Sequence, residues 1–270
     1  MRIETDGELT RVYLRQSSIN TFMKCPERAR HEFFLLDREK QYYTDASATG
    51  QALHHGLEGV MRGLINEPRD LEASCKLALR HINRVDGIRF VQNDLDTCMK
   101  FYRGWSEATF ANVAIMDIAS SPDLRVEEPF CLLVGQRDNV ELWFEGKMDA
   151  VTHDVVDWKT AARKYNEHEA DRWHIQPTMY VWAASKLLLT TNRGFRYFVF
   201  PKVQKNPVIQ EVSIRRSLGS TQFLIEQGWR IADFMIKMGT DNPWPVNDQH
   251  WLCSEKWCLN WAGCKGQYVH

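Results

Sequence analysis

A mixed α/β protein is what this 270-residue chain predicts, on three observations. Apolar residues recur at helical spacing through the first half, as in Leu53, Leu57, Val60, Met61 and Leu64. Strand-forming runs then alternate with helices, and the end from Asn242 is rich in Trp, Cys and Gly. In order, Ser17 or Ser18 caps an aromatic-rich helix over 17–36. A second helix runs over 46–63. Residues 70–115 are mostly helical, with a break at Asp86-Gly87. Residues 126–134 and 140–160 read as strands, 170–190 as a helix, 194–200 and 208–214 as strands, and 217–238 as a last long helix. No repeat or linker interrupts this, so the chain reads as one domain over 1–270. Within it lie a mainly helical subregion (17–125), a core (126–240) and a cysteine-rich tail (241–270).

A 44% hydrophobic and 11% aromatic composition supplies a substantial core. The net charge of -1 gives no global basic field, which weakens nonspecific nucleic-acid coating and leaves room for a local basic groove. The start, Met1-Arg2-Ile3-Glu4-Thr5-Asp6, lacks the apolar run of a signal peptide, and no stretch is apolar enough to span a membrane. A cytoplasmic protein is expected. Its seven cysteines then read as reduced thiols or metal ligands rather than disulfides.

The segment with most chemical content is Gly146-Lys147-Met148-Asp149 followed by Asp157-Trp158-Lys159. Strand formers flank both pieces, and Thr152-His153-Asp154 makes a three-residue polar loop between them. Such a hairpin sets Asp149 across from Asp157. Alternation puts Val155, Asp157 and Lys159 on one face, Val156 and Trp158 on the other. Two carboxylates plus a carbonyl make an open site for a hard cation such as magnesium. A lysine beside them orients an attacking water or neutralises charge developing on a phosphate. The same residues also fit a surface hairpin with solvated charges.

Cys253, Cys258 and Cys264 fall within the last eighteen residues, and Cys25 precedes Pro26 in the first helical region. Four thiolates suit a cubane iron–sulfur cluster or zinc, and would tie the chain ends together. Cys75, Cys98 and Cys131 sit in apolar stretches and read as core. Gln176 and Tyr180, four apart, share a helix face on which they either contact a phosphate or base, or pack among Trp182 and Leu187. His54 is a metal ligand or an ordinary histidine; Glu127 or Glu128 is a further acidic ligand or an exposed charge.

Taken in order, His54, Asp149, Asp157-Trp158-Lys159 and Gln176 to Tyr180 resemble the motif series of RecB-like nucleases in the PD-(D/E)XK superfamily. Ser18 to Pro26 is similar to that family's N-terminal segment, and the cysteine triplet resembles its iron–sulfur version, which includes CRISPR-associated exonucleases and phage relatives. The resemblance implies a restriction-endonuclease-like mixed sheet flanked by helices. It implies that His54, Asp149, Asp157 and the Trp158 carbonyl hold Mg2+ or Mn2+, and that Lys159 positions the water. It further implies that Gln176 and Tyr180 touch DNA, and that Cys25, Cys253, Cys258 and Cys264 hold a structural [4Fe–4S] cluster, with zinc as the other occupant. The usual proline before the first acid is absent, and the cysteine spacing departs from C-x-x-C.

The expected activity is therefore a metal-dependent DNA exonuclease acting on single-stranded or frayed ends. Ten tryptophans and eight tyrosines offer stacking platforms. Lys24, Arg28, Arg30, Lys202 and Lys205 are candidates to line a strand groove. The competing readings are a noncatalytic DNA-binding or assembly subunit serving recombination, replication or a CRISPR-type complex, and a zinc-stabilised RNA-processing protein. The lysine beside two acids argues against the former, since binding alone does not require it. A homo-oligomer or a protein partner is compatible with either, and the absence of a Walker motif suits a phage, mobile-element or CRISPR accessory protein.

Overall fold

The computed structural model describes residues 1–36, 43–91, 93–188 and 194–268. In chain order the elements begin with β1 (Arg2–Asp6), β2 (Leu9–Leu14), α1 (Gln16–Lys24), α2 (Pro26–Arg30), β3 (Tyr43–Thr44), α3 (Asp45–Met61), α4 (Pro68–Val85) and β4 (Ile88–Phe90). Helices α5 (Leu95–Ala111) and α6 (Val113–Ala119) follow, then strands β5 (Arg125–Arg137), β6 (Val140–Val151) and β7 (Val155–Ala161). The chain closes with α7 (Glu167–Trp173), α8 (Gln176–Leu187), β8 (Phe195–Pro201), β9 (Gln210–Ile214) and α9 (Leu218–Met238). The fold is mixed α/β, with parallel and antiparallel pairings and helices against the strands. Its contacts divide into two units, Met1–Asp37 with Phe130–Gly146 and Ser217–His270, and Arg38–Pro129 with Lys147–Arg216. Each unit draws on distant segments of the chain. Among the described residues no helix is long and apolar enough to cross a membrane.

In the first unit, β1 and β2 form an antiparallel hairpin about Gly7, whose φ of 61° suits glycine. Strand β2 runs parallel to β6, from Thr10↔Val140 to Leu14↔Phe144. Helix α9 begins at a Ser217 cap and lies close on this pair at Gly228, where a Cβ would stand 3.0 Å from Phe144. The helix expected over 17–36 is broken. Its cap is Arg15 rather than Ser17 or Ser18, and the Ser18 hydroxyl instead accepts from the Arg15 N–H. Cys25 is extended, because Pro26 disfavours helical backbone before it and opens α2 at the first position. A π-helical turn over His31–Leu35 follows.

Of the basic residues expected here to line a strand groove, Arg28 and Arg30 are engaged in ion pairs. Arg30 is buried and forks onto both Glu27 oxygens, at 2.7 and 2.8 Å. Arg28 pairs with Glu32 four residues on. Glu27 also accepts the Trp244 N–H at 2.7 Å, fixing the chain after α9 over Phe22 and Phe234.

The second unit holds β6 antiparallel to β7, β7 parallel to β8, and β8 antiparallel to β9. Alternation along β7 and β8 gives the sheet two buried faces. Val156, Trp158, Phe198 and Phe200 pack against α3, α4 and α5, through Leu53, Leu57, Leu71, Cys75, Tyr102 and Trp105. Each large apolar side chain so buried contributes about 1.5–3 kcal/mol. Asp157, Phe195 and Tyr197 face α8 on the opposite side. Two glycines on α3 allow its close seating. A Cβ on Gly56 would meet Cys75 Sγ at 2.5 Å and Leu71 Cδ1 at 2.7 Å, and one on Gly50 would meet Thr160 Oγ1 at 3.1 Å.

The break expected at Asp86-Gly87 is present, with Gly87 at φ 78°. The helix expected over 170–190 is two helices, separated at His174-Ile175 because Pro177 opens α8; its last two positions lie outside the described residues. Cys75 and Cys98 are core as expected, whereas Cys131 is exposed.

Candidate active site

The register of β6 and β7 creates the site. Val151 pairs with Val155 and Ala150 with Val156, around the loop 152–154. That loop closes through the Thr152 N–H and the Asp154 carbonyl at 2.9 Å. The ladder ends at Ala150 and Val156, so the next positions in register are Asp149 and Asp157. Here the Asp149 carboxylate substitutes for a backbone acceptor, taking the Trp158 N–H at 2.9 Å. The Trp158 indole is buried in the apolar face. Asp149 and Asp157 are 8% and 2% exposed, too buried for the solvated-hairpin reading.

Each acid has protein partners. His54, from α3, places Nδ1 3.3 Å from Asp149 Oδ2. Gln176, the first residue of α8, donates Nε2 to Asp157 Oδ1 at 2.6 Å and accepts from the Tyr197 hydroxyl at 3.4 Å. The Lys159 ammonium makes an ion pair with Asp157 Oδ2. That oxygen nevertheless receives no well-directed hydrogen bond, so the contact is ionic and a lone pair remains unmatched. Tyr180 is buried on α8, its ring 6.5 Å from that of Phe195.

Burial and coulombic partners push the two carboxylates apart. Burial raises Asp157 to about 6, Asp149 adds to the rise, and Lys159 opposes it. Asp149 stays below the usual carboxylate range: burial works against its charge, but His54, Lys159 and the Trp158 N–H outweigh it. Burial likewise opposes charge on His54 and Lys159, yet the neighbouring carboxylates hold both above their ordinary values. The result is a coupled cluster of two acids and two bases. It lies on an open groove whose lining includes His54, Glu127, Lys147, Asp149, Lys159 and Thr160.

Sequence comparison decides the family. The family model described as the PD-(D/E)XK nuclease superfamily matches residues 14–265. The chain belongs to that superfamily. No curated protein matches it. Among solved structures, that of a candidate exonuclease from Eubacterium rectale superposes with a TM-score of 0.56 at 12% identity, covering 90% of this chain and 86% of its own, a likeness of fold. A second, of the protein SSO0001, gives a TM-score of 0.35 at 12% identity over 92% of this chain and 95% of its own.

In this nuclease His54, Asp149, Asp157, Trp158 and Lys159 stand together, with Gln176 reaching Asp157. Sequence reasoning missed Tyr197, which lies opposite Asp157 in the parallel β7–β8 register and orients the Gln176 amide. The strand 194–200 was legible, but its neighbour was not. Of the two glutamates considered as ligands, Glu127 lines the groove, whereas Glu128 pairs with Arg125. Lys202 follows β8 directly, its N–H on the Ala161 carbonyl two residues past Lys159.

In the first unit the nuclease gathers Cys25, Cys253, Cys258 and Cys264 around one cavity of about 20 Å³. That is roughly the room of a single water-sized sphere. Burial raises the thiols of Cys253, Cys258 and Cys264 above the ordinary cysteine value. Among the described residues, no three His, Cys, Asp or Glu side chains are close enough together to form a finished metal shell. At the hairpin the reason is visible: His54 and Lys159 occupy the carboxylate oxygens a cation would take.

Proposed function

We propose that this nuclease is a metal-dependent deoxyribonuclease, acting as an exonuclease on single-stranded or frayed DNA ends. One observation carries the reading. Asp149 and Asp157 are held side by side with Lys159 on an open groove, and one buried Asp157 oxygen has the Lys159 ammonium against it without a well-directed hydrogen bond. That oxygen, the Asp149 carboxylate and the Trp158 carbonyl are hard donors of the kind Mg2+ or Mn2+ takes, with His54 as the nitrogen ligand. When bound, such an ion supplies Lewis acidity toward a phosphate oxygen and lowers the pKa of a coordinated water.

The protein's own groups do the remaining work. Gln176 and Tyr197 fix the Asp157 carboxylate in one orientation. Lys159 keeps its proton against burial, so it stays cationic to orient the attacking water and offset charge on the phosphate. Gln176 heads α8 and Tyr180 follows one turn later on the same helix, and the proposal keeps both near the strand, with Gln176 acting through Asp157. Trp173, 66% exposed at the end of α7, offers a stacking face for an unpaired base. The exonuclease assignment draws support from the fold shared with the Eubacterium rectale protein.

The same proposal assigns the four-thiol cavity a structural [4Fe–4S] cluster, with zinc as the alternative. Four soft thiols lining one space are the donor set for either. A brown, iron-containing anaerobic preparation is expected; a colourless zinc protein assigns zinc instead.

Cleavage of end-labelled single- and double-stranded oligonucleotides with Mg2+ or Mn2+, beside Lys159→Ala, tests the reading. Metal-dependent product from wild type, reduced about a thousandfold or more in the variant, is expected. Equal cleavage by a folded Lys159→Ala protein overturns the site assignment.

A further inference from the structure

The groove over the hairpin poses an electrostatic problem. Asp149 and Asp157 repel a phosphodiester, while the bases beside them, His54 and Lys159, rest on those same acids. A cationic side chain that rests on neither acid would help to hold the strand, beside any bound metal ion. Lys147 lies two residues before Asp149 on β6, and alternation gives it the same face. Met148 between them is fully buried on the other face, which fixes that assignment. Lys147 lines the same groove and its side chain is 58% exposed.

Its anchor is unusual. Glu127, in β5, has φ 56°, a left-handed conformation that a glutamate adopts at a cost of about 1–3 kcal/mol. This turn of backbone aims its carboxylate at the Lys147 ammonium, with which it makes an ion pair. The pair is asymmetric, the Glu127 side chain being 14% exposed and the lysine four times as open. An exposed ion pair contributes only about 0–1 kcal/mol, too little to offset that backbone cost. A half-buried acid that braces an open ammonium at the lip of a site is the arrangement expected of a positioning device.

We infer that Lys147, braced by Glu127, contacts a phosphate of the nucleic-acid strand and sets its path across Asp149 and Lys159. The inference rests on the nuclease reading above. Lys147 is then a positioning residue for the strand, and Glu127 acts through it.

Equilibrium binding of a fluorescein-labelled single-stranded oligonucleotide in EDTA, over a range of salt, separates this role from a structural one. Lys147→Ala should weaken binding and flatten the slope of log K against log salt by about 0.7, the value for one phosphate contact on a single strand. Lys147→Arg should restore the slope. With Mn2+ present, Lys147→Ala should raise KM about tenfold with a smaller change in kcat. Glu127→Gln, which leaves the ammonium but frees it, should keep the salt slope and lower kcat. If wild type cleaves and Lys147→Ala matches it in slope and KM, this inference is overturned and the nuclease reading stands. A wild type that neither binds nor cleaves any oligonucleotide overturns both. Matched thermal melts establish that each variant is folded.

Discussion

The hairpin site and the cysteine-rich tail both gather groups suited to cations, yet they are organised in opposite ways. At the hairpin, strand register places Asp149 and Asp157, and helices α3 and α8 deliver His54 and Gln176 to them. Each acid is already held by named protein donors before any ion arrives. In the tail, from Gly239 to Tyr268, one short 3-10 turn over Lys265–Gln267 is the regular structure among the described residues. Its thiols hang on single backbone turns, such as Cys258 N–H to the Ser254 carbonyl at 2.9 Å. The contrast teaches that the first site is organised by the fold, whereas the second has little regular structure of its own and, on our proposal, is organised by what it binds.

The largest expected effect follows from that difference. Cys258→Ser should remove iron or zinc from the purified protein and abolish amide protection across 245–268, a local loss of several kcal/mol, while protection of β6 and β7 is retained. Hydrogen exchange read by mass spectrometry measures it. A tail equally protected with and without its metal breaks the comparison.

Next is the pH response of the hairpin. Asp157 titrates at about 6 in the folded protein and lower when unfolded, so its contribution favours folding at low pH and is lost as pH rises through about 6. Between pH 4 and 7 the metal-free wild type should lose roughly 1–3 kcal/mol of stability that Asp157→Asn does not lose. Denaturant melts at both pH values show it; parallel curves for the two proteins contradict the burial argument. Millimolar Mn2+ should remove the wild-type loss.

The scaffold itself can be perturbed. Gly56→Ala would drive a methyl into Cys75 and Leu71 at the α3–α4 contact, costing about 1–3 kcal/mol. Cleavage by the surviving folded fraction should be unchanged, and a variant that melts with wild type shows this packing to be looser than described. Smallest is Gln176→Ala. Asp157 loses a 2.6 Å hydrogen bond, which should lower cleavage about tenfold and stability by about 1 kcal/mol. Unchanged single-turnover rates would show that this amide does not orient the acid.

The same contrast governs what the sequence disclosed. The hairpin was legible because a three-residue loop and a period of two fix which residues meet, and Asp149 and Asp157 follow by arithmetic. The β1–β2 hairpin was not, since Arg2, Glu4, Asp6 and Glu8 dilute its apolar pattern and its parallel partner β6 lies far along the chain. The Asp6-Gly7 pair was the signal available there. Arg30 misled as a groove residue because its buried partner Glu27 sits three positions earlier, a spacing that does announce an ion pair. Glu127 was noted as an acid, but its left-handed backbone and its grip on Lys147 are tertiary facts. In the tail, cysteine spacing singled out thiols that line one cavity without showing how they close, because turns carry no periodicity to extrapolate.

The most direct test of the central claim is single-turnover cleavage of a 5′-labelled oligonucleotide by Mn2+-saturated wild type and Asp149→Asn protein. The account predicts metal-dependent product from wild type and a loss of about a thousandfold or more in a variant with unchanged circular dichroism. Cleavage by Asp149→Asn at the wild-type rate, or wild-type cleavage unaffected by EDTA, would contradict it.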